Sequence, residues 1–463
     1  MHLRDGGRRG WGYNGQNKCW EPSLLDHNVP QPWQGHTTLV FALAATAIGV
    51  GNLFRFPYLL GEHGGAPFFI AYVATLLLVV VPVLVAEVML GSHGRGSPLG
   101  ALRWATDQSG RSVAWSWLGV LQALAGLFLA VEMVQITAWL LDRAELLYSG
   151  RMAAASAADL ANDFVAMTED HPRMWLLIAA LLIVAAALSA FGIQVAMLVI
   201  GWLVLPAMAV GMLGLLDYSL SKGDIKLAGE FLFSRQYDSF NFAGVMAGMT
   251  SALCTMAAGV GVGLCFGART PREVSLLRSV AAAAVIDTAF AVALAVAVQP
   301  LLFASNTLPA EGLALVFVAI PYAYSNLSLG DIYGALFFGI MALACFAALT
   351  VFMQPAIQIL RQQGGLRRIS ATVLVGCCVF GLAFLLTAYG ATGLAVLDFS
   401  LSGVVLPLCM FLITIFVGWR MPRPIVRGEL YREPYWLFVS WWELLRLIAP
   451  TVIGIIILWR LIA

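Results

Sequence analysis

Apolar runs alternate with short polar connections along almost the whole chain, and most of the runs are at least about 20 residues long. That length is what an α-helix needs to cross a hydrocarbon core about 30 Å thick. Eleven such segments can be read, at roughly 37–60, 67–90, 115–147, 174–193, 195–216, 241–268, 276–304, 331–360, 370–388, 395–419 and 436–462. Ahead of them, residues 1–36 are polar and carry Arg4, Arg8, Arg9 and Lys18 with no apolar stretch behind them, which predicts a cytoplasmic tail rather than a cleaved signal peptide. The pattern predicts an all-α integral membrane protein with a core over 37–419. A cytoplasmic loop and an eleventh helix follow over 420–463.

Composition sharpens this picture. Of 463 residues 60% are hydrophobic and only 11% charged, against about 25% charged in a soluble domain. A net charge of +1 gives no sign of nucleic acid as a partner. Six of the seven cysteines fall inside apolar runs and show no metal-ligand spacing, so they read as small core residues. No Ser-His-Asp, Cys-His or metal constellation stands out, which argues against an enzyme.

Loop charge gives an orientation. Arg95, Arg103 and Arg111 follow span two, Arg269, Arg272 and Arg278 follow span six, and Arg361, Arg367 and Arg368 follow span eight. Arg420, Arg423, Arg427 and Arg432 follow span ten, while the alternate loops carry Asp159, Asp163, Glu169 and Asp170 or Asp217, Asp224, Glu230 and Asp238. The arginine-rich loops share the side of the N-terminus, which the positive-inside rule makes cytoplasmic. An odd number of spans then puts the C-terminus outside, across a cell (inner) membrane.

Two spans break the helix rules in matching ways. Span one contains Ala47-Ile48-Gly49-Val50-Gly51-Asn52 and span six Ala257-Ala258-Gly259-Val260-Gly261. A single glycine pair is also what a close helix crossing uses. Here the breaks open two halves of five spans, about 37–216 and 241–419, and an odd offset of five inverts the second half. Paired interruptions of this kind point to an inverted-repeat transporter with its site at the midplane. Unwinding frees N–H and C=O groups that persist in a membrane only where they face a cavity, and there they can bind a cation or a carboxylate.

These blocks resemble the neurotransmitter:sodium symporter family. The densest match is Ala47 to Tyr58, continued by Glu62-His63-Gly64-Gly65-Ala66-Pro67-Phe68 and by Pro82 and Glu87. Phe231-Leu232-Phe233, Gly312 to Val318 and Leu397-Asp398-Phe399 then follow in order. The resemblance implies the leucine-transporter-type 5+5 inverted repeat with broken helices one and six, plus an eleventh helix as in many prokaryotic members. It implies sodium-coupled symport of an amino acid or amine, with sodium as the ion and the bilayer and a small solute as partners. The first sodium site would take Ala47, Asn52 and Thr255, with Asp287 as the carboxylate that stands in for chloride, so chloride is not expected. Thr255 could instead bond its own helix carbonyl. The second sodium site would take carbonyls near Ala45 and Ile48 with Thr350, although another alignment puts Ala347 and Ala348 at its hydroxyl positions. The substrate pocket would be lined by Ala47, Gly49, Val50, Gly51, Leu129, Met133, Cys254, Thr255, Ala257, Val260 and Phe352, and the gates would use Arg55, Asp398 and Trp33.

Departures from the family pattern matter as much. Met133 stands at the place of the third-helix tyrosine, with Glu132 about 100° round the helix from it. Pro30 and Gln362 occupy the positions of an inner Arg–Asp pair. Gly49 replaces the Asp of amine-specific members, and together with the apolar lining this predicts a neutral, hydrophobic amino acid. The alternatives are a proton-coupled or exchange transporter with Glu132 or Asp287 as carrier, and a solute sensor that does not transport.

Overall fold

A computed structural model describes residues 33, 35–49, 51–52, 55–152, 155–233, 242–271, 273–307 and 312–462. Nine helices among them are long and apolar enough to cross a membrane: Ala66–Gly94, Val113–Tyr148, His171–Phe191, Ile193–Lys222, Leu276–Ala304, Gly330–Gln362, Arg368–Thr387, Gly390–Arg420 and Tyr435–Arg460. These are spans two to five and seven to eleven. Spans one and six are each interrupted. The first is His36–Ala47 followed by Phe56–Glu62, and the second Phe242–Leu253 followed by Val262–Gly267. The protein is thus a multi-pass helical membrane protein, as the periodicity predicts, with the two interrupted spans that the glycine pairs mark.

Corresponding helices of the two halves pack together. Span three lies along span eight, span four along span nine and span two against span seven, while the first half of span one packs on spans seven and eight. Prolines shape four of the spans and the shorter helix Gly312–Ser325 in one way. The residue before each of Pro82, Pro206, Pro321, Pro407 and Pro450 donates its N–H five residues back, to the carbonyls of Leu76, Ile200, Leu315, Leu401 and Leu444. Proline has no N–H and its ring would strike the carbonyl four residues back. A single wider turn moves that carbonyl aside and keeps the bilayer-embedded ladder bonded.

The short helix Val262–Gly267 crosses span two at backbone contact. A Cβ on Gly267 would lie 2.0 Å from the Val88 carbonyl oxygen, and one on Gly91 2.1 Å from that of Leu264. Gly267→Ala is therefore expected to lower thermal stability by about 1–3 kcal/mol, the usual cost of overpacking. The check is thermal unfolding of the purified protein in detergent, with Gly229→Ala as the control because a methyl there meets nothing within 4 Å. Equal midpoints for the two variants would refute a tight crossing.

Candidate functional site at the two helix breaks

The two interruptions face one another in mid-membrane. In span one the helix ends at Ala47 and Ile48 turns extended, with φ −69° and ψ 107°. In span six the chain leaves helical geometry after Leu253, and Ala257, Gly259 and Gly261 take φ of 51°, 83° and 77°. Glycine reaches that left-handed region freely, whereas at Ala257 it is strained, and such strain concentrates at functional sites. A Cβ on Gly51 would lie 3.7 Å from the Cys254 carbonyl oxygen, so the breaks touch.

Glu87 of span two holds the second break open. Its Oε1 accepts hydrogen bonds from the Gly259 N–H at 2.9 Å and from Gln122 Nε2 at 2.7 Å. The side chain is fully buried, and Gly263 leaves room for it, since a Cβ there would come within 2.7 Å of Glu87 Oε2. Sequence reading picked out Glu87 as part of a motif but not this task, because nothing in the spacing says which N–H loses its helical partner.

Beside the breaks lies a compact oxygen cluster. Asn52 Nδ2 donates to Asp287 Oδ1 at 2.8 Å, and Thr255 Oγ1 donates to Asp287 Oδ2 at 2.5 Å while lying 3.3 Å from Asn52 Oδ1. All three residues are buried, and Tyr72, also buried, lies beside the cluster with its hydroxyl making no hydrogen bond. Thr255 thus reaches across to span seven instead of bonding its own helix. Asp287 sits in direct contact with Asn52 and Thr255, an arrangement that adds Tyr72 to the residues read from sequence.

A cavity of about 60 Å³ lies between the breaks. Ala47, Gly49, Gly51, Leu129, Met133, Cys254, Thr255, Ala257 and Phe352 all line it, as the sequence predicts. Val50 lies outside the described residues. Val260 departs from the expectation: its Cγ1 lies 3.1 Å from where a Cβ on Gly126 would be, so the side chain packs on span three, and it is not among the cavity-lining residues. Ala348 forms cavity wall, but Thr350 is two residues on, about 200° round the helix, and its hydroxyl donates to Phe346 O at 3.0 Å. Ala45 and Ile48 are buried in the last turn of the first half of span one.

Glu132 is not turned away from the cavity. It lines the cavity with Leu129 and Met133, because positions i, i+3 and i+4 share a helix face. That spacing was the signal available in the sequence.

Side-chain contacts lie on either side of the cavity. At one end Arg55 forms an ion pair with Asp398, donates to Ser402 Oγ at 3.0 Å and reaches Cys254 Sγ at 3.6 Å. Beyond this pair opens a vestibule of about 700 Å³. At the other end Trp33 is buried, with its indole N–H on Phe266 O at 3.1 Å and its backbone N–H on Arg269 O at 2.8 Å. Its ring meets Phe266 edge-on, 5.8 Å between centroids. Gln362 adds a second uncharged contact there. Its Oε1 accepts from Ser97 N at 2.5 Å, in a cradle where a Cβ on Gly96 or Gly100 would lie within 2.7 Å of the amide. Closure on this side therefore uses neutral hydrogen bonds where an Arg–Asp pair is missing.

Comparison with known proteins agrees with this architecture. The model of the Sodium:neurotransmitter symporter family matches residues 31–140. An uncharacterized sodium-dependent transporter of Bacillus subtilis is 25% identical over 458 residues, covering 94% of this chain and 98% of that protein. One from Haemophilus influenzae is 21% identical over 462 residues, covering 92% and 97%. Among solved structures, the crystal structure of MhsT in complex with L-phenylalanine superposes with a TM-score of 0.82 at 24% identity, over 93% of this chain and 99% of the other. The family match over residues 31–140, the full-length relatives named as sodium-dependent transporters and the shared fold agree with the order of motifs along the chain, which is similar to the sodium:neurotransmitter symporters, transporters and not enzymes.

Proposed function

We propose that the protein is a sodium-coupled symporter that imports a neutral, hydrophobic amino acid by alternating access. The observation that carries this reading is the pair of facing helix breaks around one cavity, with the Asn52–Thr255–Asp287 cluster at its side. An all-oxygen donor set suits a hard cation. Sodium would bind between the Ala47 carbonyl, Asn52 Oδ1, Thr255 Oγ1 and Asp287. A second sodium, if one is carried, would use carbonyls at Ala45 and Ile48 with Thr350, which would have to give up its bond to Phe346. The names of the full-length relatives and the phenylalanine complex of MhsT support both the ion and the substrate class.

Arg55 and Asp398 would form the outer gate and Trp33 the inner one, with the N-terminus cytoplasmic. Alternate opening of the two ends would move cargo without a continuous pore. One sodium entering across about 100 mV supplies ~2.3 kcal/mol, enough for roughly fiftyfold accumulation before any chemical gradient. Asp287 would supply beside the ion the negative charge that chloride gives elsewhere in the family. A proton-coupled reading on the same fold would use Glu132 or Asp287 as carrier.

Uptake into proteoliposomes over a panel of amino acids is expected to need an inward sodium gradient. Uptake driven by a pH gradient alone would replace this reading with proton coupling. Thr255→Val should weaken sodium and substrate binding together, each by about tenfold, because two ligands sharing a site are coupled reciprocally. Unchanged sodium titrations in that variant would rule out Thr255 as a ligand. Replacing chloride by gluconate should leave uptake unaltered, and Asp287→Asn should lower sodium affinity by at least about tenfold. Loss of transport on chloride withdrawal would remove Asp287 from this role.

A further inference from the structure

One ionisable group at the cavity is not used by the reading above. Glu132 is 2% exposed, yet it lines both the cavity and the vestibule, so it stands at the boundary between them. Its neighbours there come from several elements. Arg55 of span one is engaged by Asp398 and Ser402 of span ten. Cys254 of span six is engaged by Arg55 and contacts Ser402 O. Arg460 of span eleven lines the vestibule and lies over the Phe399 ring. No donor among them bonds Glu132 Oε2, and the neighbouring Asp398 carboxyl, already engaged by Arg55, faces it as a second acceptor.

A buried acceptor left unbonded is costly, and the cost is removed by whatever brings it a donor. Of the other lining side chains Leu129, Met133, Ala257, Ala348, Phe352 and Leu406 are apolar, and the hydroxyls of Thr46 and Thr255 are spent on Leu43 O and Asp287. On the amino-acid reading a substrate enters this space, and a donor on its side chain would meet the carboxylate.

We propose that Glu132 is a specificity-determining residue that selects substrates whose side chain carries a hydrogen-bond donor, a hydroxyl, phenol or indole N–H or an ammonium, over isosteres that lack one. This deepens the amino-acid reading and rests on it. Selectivity by a fixed buried polar group is strong because the wrong substrate leaves that group unpaired, whereas apolar walls discriminate weakly between similar shapes. Met133, in place of a tyrosine, offers no hydroxyl to occupy the carboxylate.

The test is thermal-shift titration of the purified full-length chain in sodium buffer with matched amino acids. The pairs are threonine against valine, tyrosine against phenylalanine, and lysine against norleucine. The donor-bearing member of at least one pair is expected to bind on the order of tenfold more tightly. Preference within the first two pairs identifies a neutral donor. Preference confined to lysine identifies an ammonium and corrects the substrate from neutral to cationic. In Glu132→Leu, and less completely in Glu132→Gln, the ratio should fall toward one. A merely structural role would weaken both members alike and leave the ratio unchanged, which would overturn the proposal. Equal affinities within every pair in the unaltered protein would overturn it without recourse to any variant. If no amino acid stabilises the protein at all, the amino-acid reading itself fails, a result distinct from stabilisation without preference.

Discussion

A helix that stops in the middle of a bilayer leaves backbone groups with nowhere to bond, and everything else in this molecule is arranged around that constraint. Glu87 meets it for span six, taking the Gly259 N–H and being steadied by Gln122. The carboxylate is itself buried, so it depends on those donors as much as they depend on it. Span two, span three and the broken span are thereby tied at one point. Gly263 and Gly267 let the second half of span six lie against span two closely enough for the bond to form. Removing the carboxylate would affect the cavity, the crossing and the break together.

The same economy appears at the oxygen cluster. Asp287 accepts from both Asn52 and Thr255, joining spans one, six and seven through side chains alone. That leaves Asn52 Oδ1 directed toward Thr255 and available to a cation. Architecture and proposed ion site thus share their atoms, and the cluster that locks three spans together is also the one a bound ion would reorganise.

How far the sequence reaches depends on the kind of signal. The spans were legible because hydrocarbon demands a long apolar run, and the breaks because Gly-Val-Gly recurs in mid-span at corresponding places. Arg55 stood out because a charge within a span is costly, and the family resemblance supplied Asp398 as its partner. Hydroxyl and carboxylate partners were less so. Thr255 had two plausible bonds, and only the packing of span seven against span one decides for Asp287. Val260 was placed on the cavity for a related reason. Alignment assigns a position along a helix, but which face meets the cavity depends on local rotation, and two residues amount to about 200°. Glu132 was misjudged by treating 100° as a turn away, when a cavity spanning i, i+3 and i+4 covers that arc.

The two closures differ in kind, and the difference has an electrical consequence. Arg55 and Asp398 carry formal charge, whereas Trp33 and Gln362 close their side through an indole, an amide and backbone groups. Charge moved through the membrane field exchanges about 2.3 kcal/mol per elementary charge per 100 mV, and neutral contacts moved through it exchange none. Under the proposed alternating access, releasing Trp33 and Gln362 would displace no formal charge of their own, so the opening of that side would respond to voltage only through the ion it carries.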